Sequence, residues 1–167
     1  MTVTFKSFRR EPPGMSADAG IYARESTVLG RHVQIGVAGE RVLAVSFPDR
    51  PDEQAESDHS LLDRIEAYLG GERDDFADVT VALTVPTDRR SVLETLREIP
   101  YGNAVTVEQL TRMTAGLDPE SDGDRETVRT ALAENPAPLL LPDHRVRDGP
   151  SGAPSDVADQ LRRVEGL

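Results

Sequence analysis

The sequence contains no cysteine, and Lys6 is the single lysine among its 19 basic residues. The first absence excludes disulfides, thiolate metal sites and cysteine nucleophiles together. No run of about 18 apolar residues occurs, so no membrane-spanning helix is expected. Met1 to Pro13 also lacks the apolar centre of a signal peptide. These absences describe a soluble, cytoplasmic protein with no membrane partner. What the chain does carry is acid: 30 acidic residues against 19 basic ones, for a net charge of -11. Arginine replacing lysine on an acidic surface resembles the proteome of a halophilic archaeon, where carboxylates keep hydrated ions at the surface. Simple solubility or a GC-rich genome gives the plainer account.

A length of 167 residues suits one compact domain or two small lobes, and a change of rhythm near Thr87 favours two, residues 1-86 and 87-167. Met1 to Asp18, with Arg9, Arg10, Pro12 and Pro13, has no sustained period and reads as a loosely held arm. Ile21 to Val28 is β-prone. Val33, Ile35 and Val37 alternate, as do Leu43, Val45 and Phe47 after a turn at Gly39, which predicts a hairpin. Leu61, Leu62, Ile65, Tyr68 and Leu69 recur at helical spacing, with Asp58 or Ser60 as N-cap and Gly70-Gly71 as the stop. Val79, Val81 and Leu83 give a further strand. His32 and His59 stand alone, without the three or four ligands a zinc site needs, and read as structural or surface histidines.

From Thr87, a potential N-cap, Val92, Leu93, Leu96 and Ile99 form a helical stripe that ends before Pro100-Tyr101-Gly102. Thr106 and Gln109 form a capping box that opens a short helix with Val107, Leu110 and Met113 inward. An acidic connection, Asp118 to Asp124, leads to a second helix from Arg125 to Glu134. Stepping about 100° per residue puts Val128, Ala131 and Leu132 in the core and Glu126, Thr130 and Ala133 on the opposite face, with Arg129 on its flank. Two short helices followed by extended chain outline a winged helix-turn-helix, with a generic helical hairpin as the alternative. The three prolines and triple leucine of Asn135 to Pro142 predict a buried extended segment ending at the polar Asp143-His144-Arg145. Ser155 to Leu167 reads as a helix with Val157, Leu161 and Val164 inward.

Ile99-Pro100-Tyr101-Gly102, Thr106 to Leu110, Asn135-Pro136-Ala137-Pro138 and Pro142-Asp143-His144-Arg145-Val146 together resemble the C-terminal domain of O6-alkylguanine-DNA alkyltransferases. The resemblance implies an α+β protein, a ribonuclease H-like lobe followed by a winged helix-turn-helix. In that family a cysteine in Pro-Cys-His-Arg-Val accepts the alkyl group, a histidine takes its proton through water, and a glutamate orients the histidine. By the match, Asp143 stands at the nucleophile, His144 at the base, Asn135 at the hinge asparagine and Glu165 at the orienting glutamate.

Several departures stand against that pattern. Asp143 replaces the nucleophile, Glu126 the intercalating arginine, and Val107 the tyrosine that turns the target nucleotide. Asp148 to Ala153 is shorter than the family's glycine-rich loop. The expected function is therefore a non-catalytic alkyltransferase-like protein that binds double-stranded DNA weakly, with Arg125, Arg129 and Thr106 at positions able to reach phosphates. A protein-interaction or regulatory domain without DNA binding is the alternative, and dealkylation by Asp143 acting as an oxygen nucleophile is the third reading. Other repair proteins are candidate partners, the chain is expected to be monomeric, and no cofactor or metal is expected. Asp143 itself is expected to bond to, or pair with, Arg145 or Arg147.

Overall fold

The computed structural model describes residues 19–167; the arm expected over Met1 to Asp18 lies outside them. Three antiparallel strands come first: β1 (Gly20–Ser26), β2 (Arg31–Ala38) and β3 (Arg41–Ser46). Val33, Ile35 and Val37 alternate inward as period-2 packing requires. The alternation expected on β3 breaks at one residue. Pairing shifts between Gly36 and Val37, so Ala44 and Val42 find partners while Leu43 is left over, 46% exposed. The bulge moves Val42 into the core in Leu43's place. A two-residue β4 (Thr80–Val81) adds in parallel beside β3, shorter than the predicted Val79 to Leu83 strand.

Helix α1 (Ser60–Leu69) covers the sheet with its buried stripe Leu61, Leu62, Ile65, Tyr68 and Leu69. Its N-cap is neither Asp58 nor Ser60 but His59, whose Nδ1 accepts from the Leu61 amide at 3.0 Å. An imidazole lone pair thus does what a carboxylate usually does there. After Pro86, the residue at the cap in place of Thr87, α2 (Thr87–Thr95) runs into a 3₁₀ turn, Leu96–Glu98.

Helix α3 (Val107–Met113) opens on the Thr106–Gln109 capping box. Its inward set is Val107, Leu110, Thr111 and Thr114, at i, i+3, i+4 and i+7, which turns Met113 outward against expectation. The Thr111 hydroxyl survives burial by donating to the Val107 carbonyl at 2.7 Å. Helix α4 (Asp122–Ala133) starts three residues earlier than expected, capped by Ser121, and buries Val128, Ala131 and Leu132. The chain closes with α5 (Ser155–Glu165). The result is a mixed α+β protein with, among the described residues, a four-stranded sheet and five α-helices. The sheet is tied to the helices by the Val45 amide on the Pro136 carbonyl, 2.9 Å, and by the Arg31 fork on Asp156.

Candidate functional site

The segment after α4 is buried as predicted, but it is a turn and not an extended strand. Prolines at 136, 138 and 142 withhold the N–H groups that a ladder needs. The chain instead folds on itself, with the Leu141 amide bonded to the Ala137 carbonyl at 2.9 Å and Leu139 in the left-handed region at φ 83°. Asn135 staples this turn: Oδ1 accepts from the Ala137 amide at 3.0 Å, while Nδ2 donates to the Leu141 carbonyl at 2.9 Å and to Asp143 Oδ2 at 3.0 Å. Asp143 to Arg145 then form a 3₁₀ turn at the centre of the molecule.

On one side of that turn sits Glu165, delivered by the last turn of α5. Its Oε2 accepts from His144 Nε2 at 2.7 Å, from Arg145 Nη2 at 3.0 Å and from the Tyr68 hydroxyl; its Oε1 accepts from Arg145 Nε at 2.9 Å and the Gly102 amide at 3.0 Å. The remaining Arg145 donor reaches the Ile99 carbonyl at 2.7 Å. Burial by itself pushes the Glu165 carboxyl up, but hydrogen bonds from His144 and Arg145 outweigh it and hold the group well below the usual carboxylate range. Tyr68 is driven the other way, first by burial and then by the Glu165 anion beside its hydroxyl.

Asp143 lies on the other side of His144 and, like it, has 0% exposure. Neither Arg145 nor Arg147 is its partner, contrary to expectation, because Arg145 is fully engaged by Glu165 and Ile99 while Arg147 is exposed. Its donors are uncharged: Ser151 Oγ to Oδ1 at 2.6 Å, and the Gly152 amide at 2.8 Å and Asn135 Nδ2 at 3.0 Å to Oδ2. Burial raises the Asp143 carboxyl above its ordinary value, and those bonds only partly offset it. His144 Nδ1 is buried with no hydrogen-bond partner. Among the described residues no group of three or more His, Cys, Asp or Glu side chains is placed to hold a metal ion.

The four positions Asn135, Asp143, His144 and Glu165, spread over 31 residues of sequence, thus converge. The five positions matched to nucleic-acid contact differ in exposure and in what holds them. Glu126 and Arg129 are exposed on α4 and face each other at 3.9 Å. Arg125 is half-buried and folds back onto the Pro119 carbonyl and Asp122. Thr106 spends its hydroxyl on the α3 cap. Val107 is buried, with its amide donating to Asp148 Oδ1 at 2.7 Å, so its side chain has no surface to offer DNA. Sequence reasoning missed Tyr68, Ser151 and Gly152. A tyrosine on an otherwise aliphatic buried stripe was the available signal, since its hydroxyl must find a partner inside.

The family model for the 6-O-methylguanine DNA methyltransferase DNA binding domain matches residues 88–164. A methylated-DNA–protein-cysteine methyltransferase of Methanopyrus kandleri is 34% identical over 108 residues, covering 63% of this chain and 77% of that one. A DNA base-flipping protein of Thermus thermophilus is 33% identical over 101 residues, covering 60% and 64%. Among solved structures, the Mycobacterium tuberculosis OGT in complex with DNA superposes with a TM-score of 0.69 at 20% identity, covering 87% of this chain and 92% of that one. The shared fold, the matching family model and 34% identity over 77% of a relative's own length have one reading: the chain belongs to the methylated-DNA–protein-cysteine methyltransferase family.

Proposed function

We propose that this chain is a non-catalytic, alkyltransferase-like member of its family that binds duplex DNA weakly, in the cytoplasm of a salt-adapted cell. The observation that carries the reading is Asp143. It occupies the alkyl-acceptor position in a chain without cysteine, and it is sealed from solvent with both oxygens engaged. A carboxylate with no exposed surface has no line of approach to an alkyl carbon, which weighs against Asp143-based dealkylation. In this reading the chain divides near Pro86 into a ribonuclease H-like lobe and a winged helix-turn-helix domain. Within the latter, α3 and α4 form the DNA-facing pair and the chain from Arg145 to Ala153 forms the wing.

Weak affinity follows from charge. Arginine on this face is already answered within its own helix: Arg112 by Glu108 at 3.1 Å, Arg125 by Asp122 and Arg129 by Glu126. Each phosphate contact must compete with a local carboxylate, and Glu126 repels phosphates outright. The same pairing favours the second reading, a protein-interaction domain, with other repair proteins as its partners.

Fluorescence anisotropy in molar potassium chloride, with duplexes carrying guanine or O6-methylguanine, separates the two. Weak, equal binding to both supports the first reading, and E126R then tightens both. Absence of binding to either duplex, by wild type and E126R alike, leaves the protein-interaction reading standing.

A further inference from the structure

The loop from Arg147 to Pro154 is bound to Asp143 more closely than a surface connection requires. Ser151 gives its hydroxyl to Asp143 Oδ1 and, with the same oxygen, accepts from the Ala153 amide at 3.0 Å; Gly152 gives its amide to Oδ2. The loop backbone lies so near Asn135 that a Cβ at position 152 would collide with the Asn135 carbonyl oxygen, so only glycine permits the approach. At its near end the loop is held by the Arg147 amide on the Val105 carbonyl at 2.9 Å and by Asp148 on the Val107 amide. In the same turn as Asp143, His144 keeps Nδ1 buried and without a protein hydrogen-bond partner. A buried ring nitrogen left unpaired is costly.

We propose that Asp143 is the catch of a closed lid: its carboxylate holds residues 147–154 over His144 and thereby makes DNA binding indifferent to alkylation at guanine O6. The second half of the statement rests on the proposed DNA-binding function; the first does not. A base that approached His144 would have to displace Ser151 and Gly152 from the carboxylate. The residue at the acceptor position therefore determines specificity by closing the site, in addition to lacking the chemistry.

The lid is tested without DNA by hydrogen exchange and by site-resolved carbethoxylation of histidine with diethyl pyrocarbonate, on wild type, S151A and D143A. S151A removes one catch bond and leaves Asp143 in place, which guards against a folding failure of D143A. In wild type, His144 resists modification while the partly exposed His32 or His59 reacts. In the variants the amides of 148–153 exchange at least about tenfold faster, His144 becomes reactive, and α1 amides keep their protection. Unchanged loop exchange and an unreactive His144 in folded S151A and D143A overturn the lid, as does a His144 that reacts freely in wild type. For the specificity half, D143A is expected to favour the O6-methylguanine duplex several-fold where wild type shows a ratio of one. A lid that opens with the ratio still at one overturns that half alone. Loss of all duplex binding in wild type defeats the DNA-binding reading and, with it, the specificity half, and leaves the lid to be judged by exchange.

Discussion

Asp143 and Glu165 are both buried carboxylates flanking His144, but Glu165 faces the Arg145 guanidinium whereas Asp143 is met only by a hydroxyl, an amide N–H and a side-chain amide. The consequence is opposite protonation tendencies in the two groups: Glu165 is held low and Asp143 is pushed high. Hydrogen bonds from uncharged donors did not compensate burial at Asp143, whereas at Glu165 the bonds from His144 and from the bidentate Arg145 did. The Glu165 side of the site is built to keep a charge, and the Asp143 side to close a loop.

The comparison is broken most severely at Glu165. E165Q leaves Arg145 buried without its counter-charge and is expected to cost about 3–5 kcal/mol in urea unfolding at constant salt; a cost under about 1 kcal/mol would mean that the pair contributes little. Acidification acts on the same group. Because Glu165 titrates below its unfolded value, its contribution is fully present above the ordinary glutamate range of about 4.3 and is lost as pH falls through the lower folded value. Asp143 has the opposite sign: its raised value favours the folded state below the ordinary aspartate range of about 3.9, and that advantage is lost as pH rises through the folded value. The melting temperature of wild type minus that of D143N should therefore fall from acid towards neutral pH. A difference that rises instead would mean that the donors outweigh burial.

Y68F removes one donor to a charged acceptor and should cost about 1.5–3 kcal/mol. An effect near zero would place the Glu165 charge entirely in the care of Arg145 and His144. At neutral pH D143N keeps the shape and one acceptor oxygen, and a cost of about 1 kcal/mol is expected, well below that of E165Q. The smallest effect belongs to the exposed Arg129–Glu126 pair, where R129A should change stability by less than about 0.5 kcal/mol. A larger change would assign that face a structural role.

Local patterns carried much of this architecture. The stripe Leu61, Leu62, Ile65, Tyr68 and Leu69 located α1, the Thr106–Gln109 pair located the start of α3, and Val128, Ala131 and Leu132 gave the buried face of α4. Each is a short-range signal in which spacing alone selects the geometry. The failures have equally physical causes. Leu43 faces outward because a bulge shifts the pairing with β2, which no single strand encodes. His59 displaces two better capping residues because the start of the helix is fixed by how its apolar face meets the sheet. Asn135 to Pro142 bury their leucines in a turn because apolar runs specify burial without specifying backbone shape.

The sequence by itself determined that it supplies no thiol, and that an aspartate, Asp143, stands before His144 with Glu165 following near the end of the chain. Those are statements of composition and order, and folding cannot alter them. Tertiary structure decided which partner each carboxylate received. Tyr68 and Glu165 stand 97 residues apart and Ser151 reaches back 8 residues to Asp143. Hydrogen bonding depends on placement within about 3 Å, and separation along the chain gives no such distance until the helices and turns have packed.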